Sequence, residues 1–149
     1  MVDGQRRHWL TLQSFMGSQS ILVAGGAGYI GSHTVRLLNS EGYKAVVLDN
    51  LVYGHRDAVV DDEVVFVEGA VGDRELLRRL FKEHQFEAVI HFAAFAYVGE
   101  SVTDPAKYFR NNVSGTLNLM DCLKEHGVKQ FIFSSTCATY GEPTEIPIR

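Results

Sequence analysis

Apolar residues in this chain fall into short unbroken runs, separated by longer stretches in which they recur every three or four positions. Unbroken runs suit strands covered on both faces of a sheet, and the wider spacing marks amphipathic helices. The first run, Ser20–Ala24, ends in glycines. A helical pattern follows, with Ile30, Leu37 and Leu38 expected on its inner face and Gly42 as its C-terminal cap. Further strands are predicted over residues 45–49, 64–68, 88–92 and 130–134. Asp73 is placed to cap a helix carrying Leu76, Leu77, Leu80 and Phe81. Asp104 followed by Pro105 opens the longest helix, since proline suits a first turn. Its core stripe is predicted to be Phe109, Val113, Leu117, Met120 and Leu123, and His126-Gly127 ends it. Residues 50–62, 93–96 and 135–149 read as loops. Strands alternating with helices predict a parallel α/β sheet with right-handed crossovers. The fold expected is a Rossmann-type doubly wound sheet of about five strands in the order 3-2-1-4-5, incomplete because a further strand normally follows.

The glycines after the first strand change this from a fold statement to a chemical one. Gly25, Gly28 and Gly31 have the spacing GxxGxxG. Gly25 suits a tight strand-to-helix turn, Gly28 lets main chain approach a pyrophosphate, and Gly31 lets the helix lie close to the sheet. The N-terminus of that helix favours negative charge. Asp49 ends the next apolar run about 20 residues on, the distance at which a dinucleotide site places its ribose acid. The ligand is expected over the carboxyl ends of the first and fourth strands.

Composition narrows the class without redirecting it. A length of 149 residues suits one domain, and 46% hydrophobic residues supply a sizeable core. A net charge of −4 gives no reason to expect nucleic acid or an anionic membrane as partner. Cys122 and Cys137 are isolated, so a disulfide framework or metal site is not expected, and a reducing, cytoplasmic compartment is. Residues 1–18 contain Arg6-Arg7 but lack a signal-peptide pattern, and they read as an unstructured extension ahead of a nucleotide domain over 19–149. Met16 is the expected natural start.

The stretches GGAGYIGSH (25–33), LDNL (48–51), VIHFAA (89–94), VGESV (98–102), NNVSGT (111–116) and FSSTCATYG (133–141) resemble the extended short-chain dehydrogenase/reductase superfamily. Within it they are most similar to the UDP-glucose 4-epimerase family, over residues 20–149 and in its amino-terminal part only. The resemblance implies a tightly held NAD that takes a hydride from C4 of a UDP-sugar and returns it to the other face of the 4-keto intermediate. It puts Tyr29 and Ile30 at the pyrophosphate and Asp49, Asn50 and Leu51 at the adenosine ribose. A carboxylate at 49 would repel a 2′-phosphate and so favours NAD over NADP. Ala70 and Val71 fall at the adenine. Phe92, Ala93, Ala94 and Ala96 match the loop along the pyrophosphate and nicotinamide ribose, with Phe95 inside it. Asn111 matches a helix residue near the cofactor, with Asn112 as the competing candidate. Thr136 matches the active-site hydroxyl that bonds the reacting sugar oxygen. Relatives that eliminate water carry Asp-Glu after that residue; Cys137 and Ala138 stand here, which favours epimerisation.

Several positions depart from the family pattern. Ala70 replaces an Asp that contacts adenine, which predicts weaker NAD binding. Ala96-Tyr97 stand where many members have Lys-Ala, a change that points to UDP-arabinose or UDP-xylose as an alternative substrate. None of the six tyrosines has Lys four residues later, so the family's general base pair is not in this chain. His91 reads as a satisfied core residue. Glu100-Ser101 read equally as sugar-facing or as a solvated loop. Two readings follow: the amino-terminal piece of an epimerase, inactive alone and with a homodimer possible through the long helix, or a non-catalytic NAD-sensing module.

Overall fold

The structure, a computed structural model, describes residues 20–60 and 62–147. The expected extension over 1–18, and Met16 as its boundary, lie outside the described residues.

Five strands form one parallel sheet: β1 (Ser20–Ala24), β2 (Lys44–Asp49), β3 (Val65–Glu68), β4 (Phe86–His91) and β5 (Gln130–Phe133). Their order is β3-β2-β1-β4-β5, as the alternation of elements predicts. Helices α1 (Tyr29–Ser40) and α2 (Arg74–Glu83) follow β1 and β3. After β4 come α3 (Val98–Thr103), α4 (Pro105–Tyr108), a π-helical segment (Phe109–Gly115) and α5 (Thr116–His126). Short 3₁₀ turns occupy Arg56–Ala58 and Cys137–Tyr140, inside stretches that read as loops.

The strand sequences explain the layering. Successive side chains point to opposite faces, so each apolar run feeds two cores. Leu22, Val46, Leu48 and Val89 pack with Leu76, Leu77, Leu80 and Phe81 of α2 and with Leu119, Cys122 and Leu123 of α5. Ile21, Val23, Ala45, Val47 and Ile90 pack on the other face with Val35, Val59 and Val64. Asp73 caps α2 as expected, its carboxylate accepting from the Leu76 amide at 3.0 Å.

The helix α2 buries Leu76, Leu77, Leu80 and Phe81 as predicted, whereas the faces of α1 and of the long helix depart from the predicted ones. In α1 the buried positions are Gly31 and Val35, with Leu38 packed against the core, while Ile30 and Leu37 are exposed. Close packing on the glycine turn selects the face that carries Gly31. In the long helix only Leu123 of the predicted stripe is buried; Phe109, Val113, Leu117 and Met120 are exposed. The inner face is instead Gly115, Leu119, Cys122 and Leu123. This region bears two apolar stripes, and Gly115 chooses between them, because a Cβ there would come within 2.9 Å of Val71.

Candidate functional site

At the end of β1 the chain turns through Gly25 with φ +82°, and a Cβ at that position would lie 2.6 Å from the Ala93 amide nitrogen. The glycine turn therefore rests directly on the segment after β4. At Gly31 a Cβ would stand 2.1 Å from the Gly25 carbonyl oxygen, so α1 can approach the turn only with glycine there. Gly28 is different. A Cβ there would meet only the Gly25 oxygen, at 3.4 Å, and its φ of −75° suits any residue. No protein atom demands glycine at 28; the bare position borders a cleft. Helix α1 begins with no side-chain cap and no acid in its first turn, leaving its leading N–H groups and dipole available to an anion.

The cleft runs over the carboxyl ends of the central strands. Gly25, Gly28, Asp49 and Asn50 form one side, Ala70 and Val71 close an end, and Phe92, Ala93, Ala94 and Asn111 form the other side. Tyr29 and Ile30 sit at the start of α1 with exposed side chains and Gly31 lies beneath the turn, so none of these three lines the cleft. What they can offer is backbone. Leu51 also does not line it; held at φ 57°, its side chain packs on the second core. Ala96 and Thr136 fall on a neighbouring cavity, which shares Phe92, Ala93, Ala94 and Phe95 with the first.

Asp49 is buried, and both its oxygens are engaged by main chain. Oδ2 accepts from the Ala27 amide and Oδ1 from the Leu51 amide, each at 2.9 Å. The carboxylate thus ties the glycine turn to the end of β2. Each oxygen retains a lone pair, so the group can still accept ligand hydroxyls. Sequence reasoning assigned only the ligand role.

The second cavity is built on the π-helical segment, a geometry concentrated at functional sites. Asn112 accepts from the Phe95 amide and donates to the Phe95 carbonyl, both at 2.9 Å, while Asn111 donates to Asn112 at 2.8 Å. The two candidates divide the work: Asn112 clamps the segment after β4, and Asn111 lines the dinucleotide cleft. Below them the Thr116 hydroxyl donates to the Asn112 carbonyl at 2.8 Å and stands 2.9 Å from His91 Nε2. With its proton spent, that hydroxyl can only accept from His91. Nε2 therefore carries the ring proton, and buried Nδ1 is a bare acceptor with no hydrogen-bond partner among the described residues. His91 is only half satisfied, unlike the expected core histidine. Desolvation pushes its pKa down to about 4.

Glu100 is neither a solvated loop residue nor part of the second cavity's lining. It pairs with Lys107, and the Tyr108 and Tyr53 hydroxyls donate to it at 2.7 and 3.1 Å. Hydrogen bonds from Lys107 and Tyr108 hold its carboxyl below the usual range. Desolvation and this carboxylate push the Tyr108 phenol up to about 12 and raise Tyr53 as well. Raised phenols cannot serve as a general base near neutrality, so neither tyrosine replaces a Tyr-Lys pair. Ser101 does line the second cavity. Tyr53, which no motif singled out, lines the first; its signal is an aromatic just beyond the ribose acid. Among the described residues no cluster of His, Cys, Asp or Glu could hold a metal ion, and no helix is long and apolar enough to cross a membrane.

A cleft bordering the uncapped start of α1, with a partly free carboxylate on one side and small side chains opposite, fits a dinucleotide. Comparison with known proteins agrees. The profile of the NAD dependent epimerase/dehydratase family matches residues 21–149. A UDP-glucose 4-epimerase of Halalkalibacterium halodurans is 53% identical over 130 residues, covering 87% of this chain and 38% of that protein. A probable UDP-arabinose 4-epimerase of rice is 44% identical over 140 residues, 89% of this chain and 34% of the relative. The crystal structure of UDP-glucose 4-epimerase from Brucella ovis in complex with NAD superposes with a TM-score of 0.79 at 52% identity, over 87% of this chain and 39% of that one. The chain thus spans well under half the length of these relatives.

Proposed function

The chain belongs to the NAD dependent epimerase/dehydratase family, and from that premise we propose that it is the NAD-binding part of a UDP-glucose/UDP-galactose 4-epimerase. The observation that carries the cofactor half of this reading is Gly28, where no described protein atom requires glycine and the bare backbone borders the cleft, as close approach of a pyrophosphate needs. Bound NAD supplies a hydride acceptor and donor for the sugar C4. The chain's own residues bind and orient. First-turn amides of α1 at Tyr29, Ile30 and Gly31 receive the pyrophosphate. Asp49 takes the adenosine ribose hydroxyls on its remaining lone pairs, with Asn50 and Leu51 shaping the turn around them. Ala70 and Val71 flank the adenine, and Ala70 gives up the polar contact an acid would make, so affinity is lower than in relatives that carry Asp. Phe92, Ala93 and Ala94 allow close approach along the nicotinamide half, with Asn111 beside it.

Thr136 and Ala96 border the adjoining cavity, where the sugar would sit. The Thr136 hydroxyl bonds the reacting sugar oxygen, and Cys137 and Ala138 supply no acid-base pair for eliminating water. UDP-arabinose is the second reading, favoured by Ala96-Tyr97 and by the similarity to the rice relative. The exposed stripe Phe109, Val113, Leu117 and Met120 supports a homodimer. A cytoplasmic location suits the buried free thiol of Cys122.

The test uses the natural protein with UDP-galactose, followed by proton NMR of the anomeric signals. Conversion to UDP-glucose is expected, and Thr136→Val should slow turnover by about 100-fold with cofactor binding unchanged. Absence of NAD binding by calorimetry would refute the proposal. Lacking a Tyr with Lys four residues on, the 149-residue chain alone is expected to show no turnover.

A further inference from the structure

We propose that Tyr53 is a positioning residue that gates the dinucleotide cleft: its contact with Glu100 straps the segment after β2 to the segment after β4 and sets how fast the dinucleotide enters and leaves. The inference rests on the dinucleotide reading above.

Tyr53 and Phe95 both line the cleft, one from each of these segments. β2 and β4 flank β1 on opposite sides in the sheet, so a ligand over the end of β1 passes between the two. The Tyr53 ring meets Phe95 edge-on at 5.6 Å and Tyr97 at 4.9 Å between centroids. Its hydroxyl donates to Glu100 Oε2 at 3.1 Å.

Each foot of this span is held independently. On the β2 side, the Leu51 and Val52 amides donate to the Asp49 and Asn50 side chains, and the His55 amide donates to the Ala27 carbonyl at 3.0 Å. Gly54 lies against the Asp49 carboxylate, where a Cβ would stand 2.8 Å from Oδ1. On the β4 side, Lys107 fixes Glu100 and lies 4.5 Å from the Phe95 ring centre. The Tyr108 hydroxyl adds contacts of 2.7 Å to Glu100 and 2.8 Å to the Tyr97 carbonyl, sharing its one proton between them. Two anchored walls are therefore joined through the Tyr53 side chain, and its ring contacts and hydrogen bond must part for a ligand to pass.

Every partner in the strap is a protein atom. The Tyr53 hydroxyl bonds a carboxylate outside the cleft lining, so a strap that closes again over the bound ligand adds equally to both states and acts on rates. That separates a gate from an ordinary binding contact.

NADH fluorescence read by stopped flow, on the natural protein, provides the test. Association is followed directly, release is followed after a chase with excess NAD⁺, and Kd is measured by calorimetry. Tyr53→Phe keeps the ring and removes the hydrogen bond. It should speed both uptake and release by about three- to tenfold, the scale of one surface hydrogen bond to a charged acceptor, with Kd unchanged within about twofold. Glu100→Gln should move both rates the same way, and the double variant should be no faster than the faster single, as for two partners in one contact. Unchanged rates in both single variants would overturn the gate while leaving the cleft assignment intact. Faster release with unchanged uptake would overturn it too, since Tyr53 would then be an affinity contact. A wild-type protein that does not bind NADH would remove the cleft assignment and the gate together.

Discussion

His91 shows how much one buried side chain governs behaviour in acid. Burial keeps its imidazole neutral in the fold, with a pKa near 4 against the ordinary 6.5. Above pH 6.5 the ring is neutral folded or unfolded and costs nothing. Between 6.5 and 4 the unfolded chain takes up a proton that the fold refuses, so stability falls as pH falls. The loss reaches about 3 kcal/mol near pH 4. Urea unfolding between pH 4.5 and 6.5 should therefore show a slope that His91→Phe reduces by about 1 kcal/mol per pH unit. An unaltered slope would show that another group carries the acid sensitivity. Glu100 acts at lower pH: its depressed carboxyl stabilises the ionised network above the usual carboxylate range and loses that contribution as pH drops through its folded value.

Among the elements, the β1–α1 junction separates glycines that serve the fold from one that serves a ligand. A Cβ at Gly31 would strike the backbone of Gly25 and Gly26, which cannot yield. Gly31→Ala should cost at least about 2 kcal/mol through overpacking. A Cβ at Gly28 would touch only the Gly25 oxygen, at an ordinary 3.4 Å, so the melting curve of Gly28→Ala should shift by less than about 1 kcal/mol, the scale of a changed N-cap residue. Its NAD affinity by calorimetry should nevertheless fall at least about tenfold, because the methyl occupies the space the pyrophosphate needs. Equal losses of stability in both variants would show that 28 is merely a turn position. The helix after β4 carries a comparable division. Leu119 is wholly buried whereas Leu117 is more than half exposed, and only truncation of Leu119 should cost the about 2–5 kcal/mol of a core cavity.

At the scale of the whole molecule, those exposed positions are where the proposed homodimer is tested. Leu117→Lys together with Met120→Lys should leave the thermal unfolding midpoint of a monomer nearly unchanged and shift sedimentation of the natural protein from dimer to monomer. A dimer that persists would place the contact elsewhere. β5 forms one rim of the sheet with Ile132 and Phe133 more than half exposed. An unpaired, apolar strand of this kind invites further pairing or cover.

Strand order, the Asp73 cap and the turn at Gly25 were legible because they depend on neighbours close in sequence: apolar runs, a capping acid, a glycine ending a strand. The cleft residues Asp49, Ala70, Ala93 and Asn111 were nameable in advance from motif matches. That they share one cavity needed the fold. The inner face of α2 was legible, but those of α1 and of the long helix were not. Both faces of the long helix are apolar, and the choice belongs to Gly115 meeting Val71, a contact between residues 44 positions apart. The bonds from Asp49 to Ala27, from Asn112 to Phe95 and from Tyr53 to Glu100 were hidden for the same reason. By itself the sequence determined a parallel α/β sheet with a glycine turn at the mouth of its first strand, since local periodicity and backbone sterics suffice for that. Tertiary structure alone decided which polar groups meet across the cleft, because hydrogen bonds form by proximity in space and the chain's own order does not record it.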